Sequence, residues 1–279
     1  SNNRKATRRA VYRDAAGLPL MVVQRFEDDA GGKEDKPFSW CKNTAGEQEW
    51  RNRRITDPQP LYGLDGLARR PNAPVLLVEG EKCKDVAAEY DALGIYVVMS
   101  WLGGCNGWKK ADWQPLAGRE VLCWPDCDSQ RQKLSKAEQA DGVFPEMKPY
   151  LPYTEQPGMA AMLGIAQCLS EMGCTVSVVE VPKPGVWPAG YDVADVIMDN
   201  DPITTVGQML AAAKPWGEFV EVSPAPTDNG VPAGAEAVDD ETGEATPQEG
   251  GAGGVIPFDK NLKDLLSGFA LIEGKVKAL

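Results

Sequence analysis

The chain has 279 residues, a net charge of −12 and no histidine. The lack of histidine excludes histidine-ligated zinc and acid/base catalysis by imidazole. The seven cysteines lack the paired spacing of zinc sites, so we expect reduced thiols and no zinc. The chain has no apolar run long enough to span a membrane and no secretory leader, so we expect a cytoplasmic protein without a membrane partner.

The charge is unevenly distributed along the chain. Residues 1–74 carry 14 basic and 10 acidic side chains, whereas residues 75–217 carry 11 and 19, and residues 218–254 carry none and nine. Electrostatic attraction to phosphates supplies much of nucleic-acid affinity. A nucleic-acid surface is therefore expected in the amino-terminal region rather than over the whole molecule.

The amino-terminal region reads as a small β-rich module. Residues 11–14 and 20–26 alternate in polarity around a Gly-Leu-Pro turn, which predicts a β-hairpin. Residues 38–40 and 49–51 predict two further short strands. We assign residues 1–73 to this module and its connector.

Basic and aromatic residues lie close together in this module. Arg51, Arg53 and Arg54 are near Trp40 and Trp50 in the sequence, a combination compatible with binding a nucleic-acid strand. The alternative is that the two tryptophans pack on the next domain and the arginines are solvated. That alternative is favoured, because a lone aromatic more often packs than binds.

Residues 74–217 alternate between strand and helix patterns. Predicted strands cover residues 75–79, 95–101, 121–124 and 174–181, and predicted helices include residues 82–93, 158–172 and 202–216. This order predicts an α/β domain with a mostly parallel four-stranded sheet and helices on both faces. Residues 129–157 are polar and contain prolines, so they are interpreted as an insertion at the rim of the site.

Two of the predicted strands end in carboxylates. Glu79 follows the first strand, and Asp126 and Asp128 follow the third. If these parallel strands are neighbours, the carboxylates meet at one sheet edge and need a cation; alternation along the chain puts Asp126 and Asp128 on the same side. Hard oxygen ligands favour Mg²⁺, with Mn²⁺ as a substitute. The alternative for Glu79 is a carboxylate that caps the next helix.

Three motifs in this order resemble a known family. They are Glu79-Gly80-Glu81-Lys82, Trp124-Pro125-Asp126-Cys127-Asp128 and Gly190-Tyr191-Asp192-Val193-Ala194-Asp195. Together, over about residues 74–199, they resemble the Toprim domain of topoisomerases, primases and some nucleases. The resemblance is closer to the primases and primase-helicases of phages and mobile elements, and it implies a Toprim-like fold.

The resemblance also implies roles for individual residues. Glu79 matches the general acid or base, and Asp126 and Asp128 match the metal-binding pair. Glu81 and Asp192 match further acids, so the implied metal set is Glu79, Glu81, Asp126, Asp128 and Asp192. Lys82 either contacts phosphate or neutralises the acids, and helix capping accounts for Asp195.

The implied activity is that of a metal-dependent nucleotidyltransferase. It would make RNA primers on single-stranded DNA from nucleoside triphosphates, in a phage or mobile-element replication protein. Two alternatives are a metal-dependent DNA endonuclease and an inactive module that binds DNA or a partner. Residues 218–254 are predicted to be a disordered acidic linker and residues 255–279 the start of a truncated segment. We therefore expect a helicase or other replication domain on the carboxyl-terminal side in the full-length protein.

Overall fold

Two β-sheets organise the computed structural model, which describes residues 5–28, 32–55, 58–199 and 202–220. All of these residues lie in one compact unit. The predicted acidic linker, residues 218–254, lies outside the described residues from residue 221 onward, as does the final segment, residues 255–279. None of the described helices is both long and apolar enough to cross a membrane.

The first sheet is antiparallel and has the strand order β1-β2-β3-β4. Its strands are β1 (Arg8–Arg13), β2 (Pro19–Glu27), β3 (Lys33–Lys42) and β4 (Gln48–Asn52). The turn between β1 and β2 is closed by Asp14, whose Oδ1 accepts the backbone N–H groups of Ala16 and Leu18 at 2.9 and 2.8 Å. The four predicted strands are confirmed, and β3 is longer than the sequence pattern suggested.

The second sheet is mixed and has the order β6-β5-β7-β8-β9. Its strands are β5 (Val75–Val78), β6 (Val97–Met99), β7 (Glu120–Trp124), β8 (Thr175–Val179) and β9 (Ala213–Pro215). The first four are mutually parallel, whereas β9 pairs antiparallel with β8. The prediction of a four-stranded sheet is therefore wrong by one edge strand. The alanine run at residues 211–213 has high helix propensity, but pairing with β8 prevails over that preference.

The helices connect these strands and flank the sheet. They are α1 (Leu64–Arg69), α2 (Gly80–Glu89), α3 (Lys136–Ala140), α4 (Pro157–Glu171), α5 (Val193–Met198) and α6 (Pro202–Ala211). The connection from β5 through α2 moves outward to β6, and the connection from β7 through α4 moves the opposite way to β8. Right-handed crossovers in opposite directions place α2 and α4 on opposite faces of the sheet.

Residues 129–157 leave the end of β7 and return at the start of α4. The side chain of Gln156, 2% exposed, holds the two ends together. Its Oε1 accepts the Gln130 N–H at 2.8 Å, and its Nε2 donates to the carbonyls of Gln130 and Leu151 at 3.1 and 2.9 Å. The segment also contains α3, which begins with a capping box between Ser135 and Glu138. This polar segment thus has hydrogen-bonded structure of its own.

Candidate active site at the carboxyl edge of the parallel sheet

Strands β5 and β7 are direct neighbours, and their carboxyl ends lie side by side. Val78 is in register with Trp124, so Glu79 and the Pro125-Asp126 turn leave the sheet at the same edge. Cys127 is 1% exposed, whereas Asp126 and Asp128 are partly exposed. The expectation that the two carboxylate-bearing strands are adjacent is therefore confirmed.

Glu79 is held by a single backbone donor. Its Oε1 accepts the N–H of Cys105 at 2.9 Å, while its Oε2 is buried and has no hydrogen-bond partner among the described residues. Burial raises the pKa of Glu79; the Cys105 hydrogen bond opposes this rise and the charge of Asp128 adds to it. Glu79 occupies the N-cap position of α2, but within the described structure its side chain makes no capping bond. The capping alternative is therefore wrong.

A glycine-containing turn after β6 provides that donor. Gly104 has a φ of +57°, and a Cβ built on it would lie 2.7 Å from Glu79 Oε1. Only glycine combines this left-handed conformation with such a close approach. The indole N–H of Trp101 donates to the Gly104 carbonyl at 2.8 Å and anchors the turn to the core. The glycines of this turn thus bring the backbone against the acidic loop, which the sequence allowed without specifying.

Asp126 lies at the centre of the negative charge. Its pKa is raised from 3.8 to about 9, first by burial and then by the charges of Glu79, Asp192, Asp128 and Asp195. A buried carboxylate among like charges is costly to ionise unless a cation compensates it. The site therefore favours either a proton on Asp126 or a bound cation.

Asp128 faces the start of α4. Its Oδ2 accepts the backbone N–H of Gly158 at 2.7 Å, in the first turn of that helix. The positive end of the helix dipole stabilises a carboxylate at this position. A Cβ on Gly158 would lie 3.0 Å from the Asp126 carbonyl oxygen, so the absence of a side chain there lets the helix approach the acidic loop.

Lys82 neutralises part of the cluster. Its Nζ lies 3.2 Å from Asp192 Oδ2 and 3.3 Å from Asp195 Oδ1. Burial acts to lower the pKa of Lys82, but Asp192 and Asp195 outweigh it and the pKa is raised. Asp192 and Asp195 also form a capping box at the start of α5. The capping interpretation of Asp195 is confirmed, and Lys82 is paired with acids rather than free.

Glu81 points toward the first sheet. Its Oε1 accepts the hydroxyl proton of Tyr12 at 2.8 Å, and its backbone carbonyl accepts from Arg8 at 3.2 Å. Tyr12 is fully buried, and burial followed by the charge of Glu81 raises its pKa. Sequence reasoning missed Tyr12, because in the strand pattern it looks like any buried aromatic residue.

The predicted nucleic-acid residues are exposed. Arg51 donates to Glu49 at 2.8 Å, and the Arg54 side chain borders the glycine turn at Gly103. Trp40 and Trp50 are opposite each other on β3 and β4, with ring centroids 5.6 Å apart. The two tryptophans thus pack on each other, not on the second sheet as the favoured alternative proposed.

The carboxylates of this site can be compared with the ligands that a divalent cation needs. Among the described residues, no group of three or more Cys, Asp or Glu side chains is gathered closely enough to hold a metal ion by itself. Mg²⁺ does not need such a group, because it usually keeps several waters and binds one or two carboxylates together with substrate phosphates. The raised pKa of Asp126 and the unpaired Oε2 of Glu79 both fit a cation at this edge.

Comparison with known proteins gave one distant likeness. No family model and no curated protein matches the chain. The chain is similar to the crystal structure of the Aquifex aeolicus primase, comprising its zinc-binding and RNA polymerase domains, with 18% identity and a TM-score of 0.43. The alignment covers 73% of this chain and 39% of that chain. A likeness of this size carries no weight for function, which therefore depends on the site itself.

The comparison corrects one expectation. The aligned primase structure includes a zinc-binding domain. This finding conflicts with our expectation that zinc is excluded, and we withdraw that expectation.

Proposed function

We propose that the chain catalyses divalent-cation-dependent nucleotidyl transfer, making RNA primers on single-stranded DNA, with a site of the Toprim type. The observation that carries the proposal is the carboxyl of Asp126, which is partly buried and whose pKa is raised to about 9 by burial and by the charges of Glu79, Asp192 and Asp128. Carboxyl groups with strongly raised pKa values cluster at functional sites, so a shift of this size supports a functional role for Asp126.

Asp126 and Asp128 would hold the cation, with Mg²⁺ as the expected ion. When bound, such an ion neutralises the cluster and stabilises negative charge on the reacting phosphate. Asp192 lies close enough to raise the pKa of Asp126 and is a further candidate ligand. Glu81 is a weaker candidate, because its carboxylate is bonded to Tyr12.

Glu79 would act as the general base. In the transfer, a 3′-hydroxyl oxygen forms a bond to the α-phosphorus of a nucleoside triphosphate, the bond to pyrophosphate breaks, and the hydroxyl proton leaves. Among the described residues nothing donates to the buried Oε2 of Glu79, which would accept that proton, while the Cys105 N–H holds Oε1 in place. A carboxylate whose pKa is raised above its ordinary value is a stronger base than an ordinary glutamate.

The remaining predicted residues take secondary roles in this proposal. Lys82 balances the charge of Asp192 and Asp195 and so limits repulsion around the cation. Arg54 lies beside the glycine turn and would contact the strand next to Glu79, with Arg51 and Arg53 further along the same segment.

The test is primer synthesis on single-stranded DNA with nucleoside triphosphates and Mg²⁺ or Mn²⁺. Glu79→Gln and Asp126→Asn should each reduce product at least about 100-fold, because each removes a group that acts in the transition state. Asp91→Asn, an exposed carboxylate outside the site, is the matched control and should retain activity. Nicking of DNA in the absence of nucleotides, lost in the same two variants, would instead support the nuclease alternative. Wild-type protein inactive in both assays would refute the enzymatic proposal.

A further inference from the structure

The first sheet has two chemically different faces. Ala10, Tyr12, Met21 and Val23 form one buried cluster together with Leu102, so these side chains face inward. Successive residues of a strand point to opposite faces, and residues in register share a face. Apart from the irregularity between Tyr12 and Arg13, the register of β1–β4 therefore assigns the strand residues to the inward face or to the outer face.

The outer face is aromatic and basic. Val11, Val22 and Phe38 are in register there, as are Arg9, Gln24 and Lys36, and Trp40 with Trp50. The aromatic residues of this face are Phe26, Phe38, Trp40 and Trp50, and its cations are Arg9, Lys36 and Lys42. Among the paired residues of β1–β4 that lie on the outer face, Glu34 is the one acidic residue in the described strands. The outer face is thus locally positive on a chain whose net charge is −12.

Arg51 is not part of the outer face. It is in register with Ser39, which is 4% exposed and lies on the inward side. Sequence proximity of Arg51 to Trp50 therefore does not put the two side chains on one surface. Lys42, two residues after Trp40 on the same strand, shares the face of the tryptophan pair.

The tryptophan pair is incompletely satisfied. Both rings are half-buried and tilted by 59° to each other, and both indole N–H groups are buried without a hydrogen-bond partner among the described residues. Lys36 lies 5.2 Å from the centroid of Phe26 and 3.4 Å from Glu34. Aromatic rings interleaved with lysines on an open antiparallel sheet are suited to stacking bases and pairing with phosphates.

We propose that the outer face of the first sheet binds single-stranded nucleic acid. Bases would stack on Trp40, Trp50 and Phe38, and the phosphates would lie against Lys36 and Lys42. Side chains on one face of a strand are about 6.6 Å apart, so Phe38 and Trp40 would take separate bases. Single-stranded nucleic acid is favoured over a protein partner because cations outnumber acids on this face, and because an aromatic ring can stack on any of the bases.

This binding goes beyond the proposed primer synthesis, because it uses neither the carboxylates nor a nucleotide. The inward side of the sheet is the side that contacts the acidic segment, through the hydrogen bond from Tyr12 to Glu81. The outer face would hold a strand at a distance from the point of chemistry. Binding is thus measurable whether or not the chain is a polymerase.

The experiment is fluorescence anisotropy of labelled oligodeoxythymidine and oligouridine with the whole 279-residue chain, in EDTA and without nucleotides. Trp40→Leu and Trp50→Leu should each weaken binding roughly 5- to 150-fold through lost stacking. Trp40→Phe should retain most of the affinity, and it guards against misreading a folding defect. Lys42→Gln should reduce the slope of log affinity against log salt by about 0.7, the value expected for one phosphate contact on a single strand.

Matched controls lie elsewhere on the molecule. Lys33→Gln removes a cation from the same strand as Lys42 but on the inward side, and Phe144→Leu removes an aromatic residue, 67% exposed, from residues 129–157. Both should bind as wild type does. Wild-type protein that fails to bind either oligonucleotide would overturn the proposal, as would controls that lose as much affinity as the outer-face variants. A salt slope unchanged in Lys42→Gln would overturn the phosphate contact and with it the assignment of the strand to this face.

Discussion

Replacing Asp126 by asparagine should stabilise the metal-free protein, and more so at high pH. The folded-state pKa of about 9 exceeds the ordinary value of 3.8, so between these values the folded protein holds a proton that the unfolded chain has lost. Stability therefore falls as the pH rises from about 4 toward 9. The Asp126→Asn substitution would remove that dependence, because the asparagine side chain is neutral at every pH and nearly the same size.

The magnitude follows from the pKa shift. At about 1.4 kcal/mol per pKa unit, the upper limit of the stabilisation is about 2 kcal/mol at pH 5 and about 6 kcal/mol at pH 8. Water entry and local relaxation lower both values. We expect the gain in Asp126→Asn to be larger at pH 8 than at pH 5 by at least about 1 kcal/mol, or about 2–4 °C in melting temperature for a unit of this size.

The assay is thermal unfolding followed by circular dichroism in EDTA at both pH values, then with saturating Mg²⁺. The cation should raise the melting temperature of the wild-type protein more than that of Asp126→Asn, because it binds the folded carboxylate site. Asp91→Asn, which changes an exposed carboxylate, should follow the wild type throughout. Melting temperatures of wild type and Asp126→Asn that run parallel between pH 5 and pH 8 would refute the reasoning.

Two further predictions concern the segments around the site. Gly104→Ala should abolish primer synthesis, because the added Cβ would displace Glu79. The control is Gly118→Ala, at a position with a φ of +72° and no atom within 4 Å, which should cost only about 1 kcal/mol of stability through backbone strain. Equal losses of activity in the two variants would exclude a special role for the close approach of Gly104 to Glu79. Gln156→Ala should make residues 129–157 more sensitive to limited proteolysis, because it removes three hydrogen bonds to the backbone of Gln130 and Leu151. Gln167→Ala, at an exposed position, should not have this effect. Identical digestion patterns would show that other contacts hold the segment.

The strands could be predicted because their signals are local. Apolar runs that end in acids identified β5 and β7, and alternation in residues 11–26 identified the first hairpin. Strand β9 could not be predicted in this way, because it has only three residues and begins within the alanine run, a pattern that indicates helix unless the partner strand is known. The exclusion of zinc rested on cysteine spacing within the chain and is withdrawn.

The sequence by itself determined which carboxylates lie at strand ends, because an apolar run and the acidic residue that follows it are both local features of the chain. It could not determine which of these acids share one electrostatic environment. Only the tertiary structure places Asp126 among Glu79, Asp128 and Asp192, turns Glu81 to Tyr12 and pairs Lys82 with two aspartates. It also separates Trp50 from Arg51 by the thickness of a sheet. These relations depend on the order of the strands in the sheet and on the side of the sheet that each residue occupies. Both bring together residues that are distant in the chain, so no local sequence pattern reveals them.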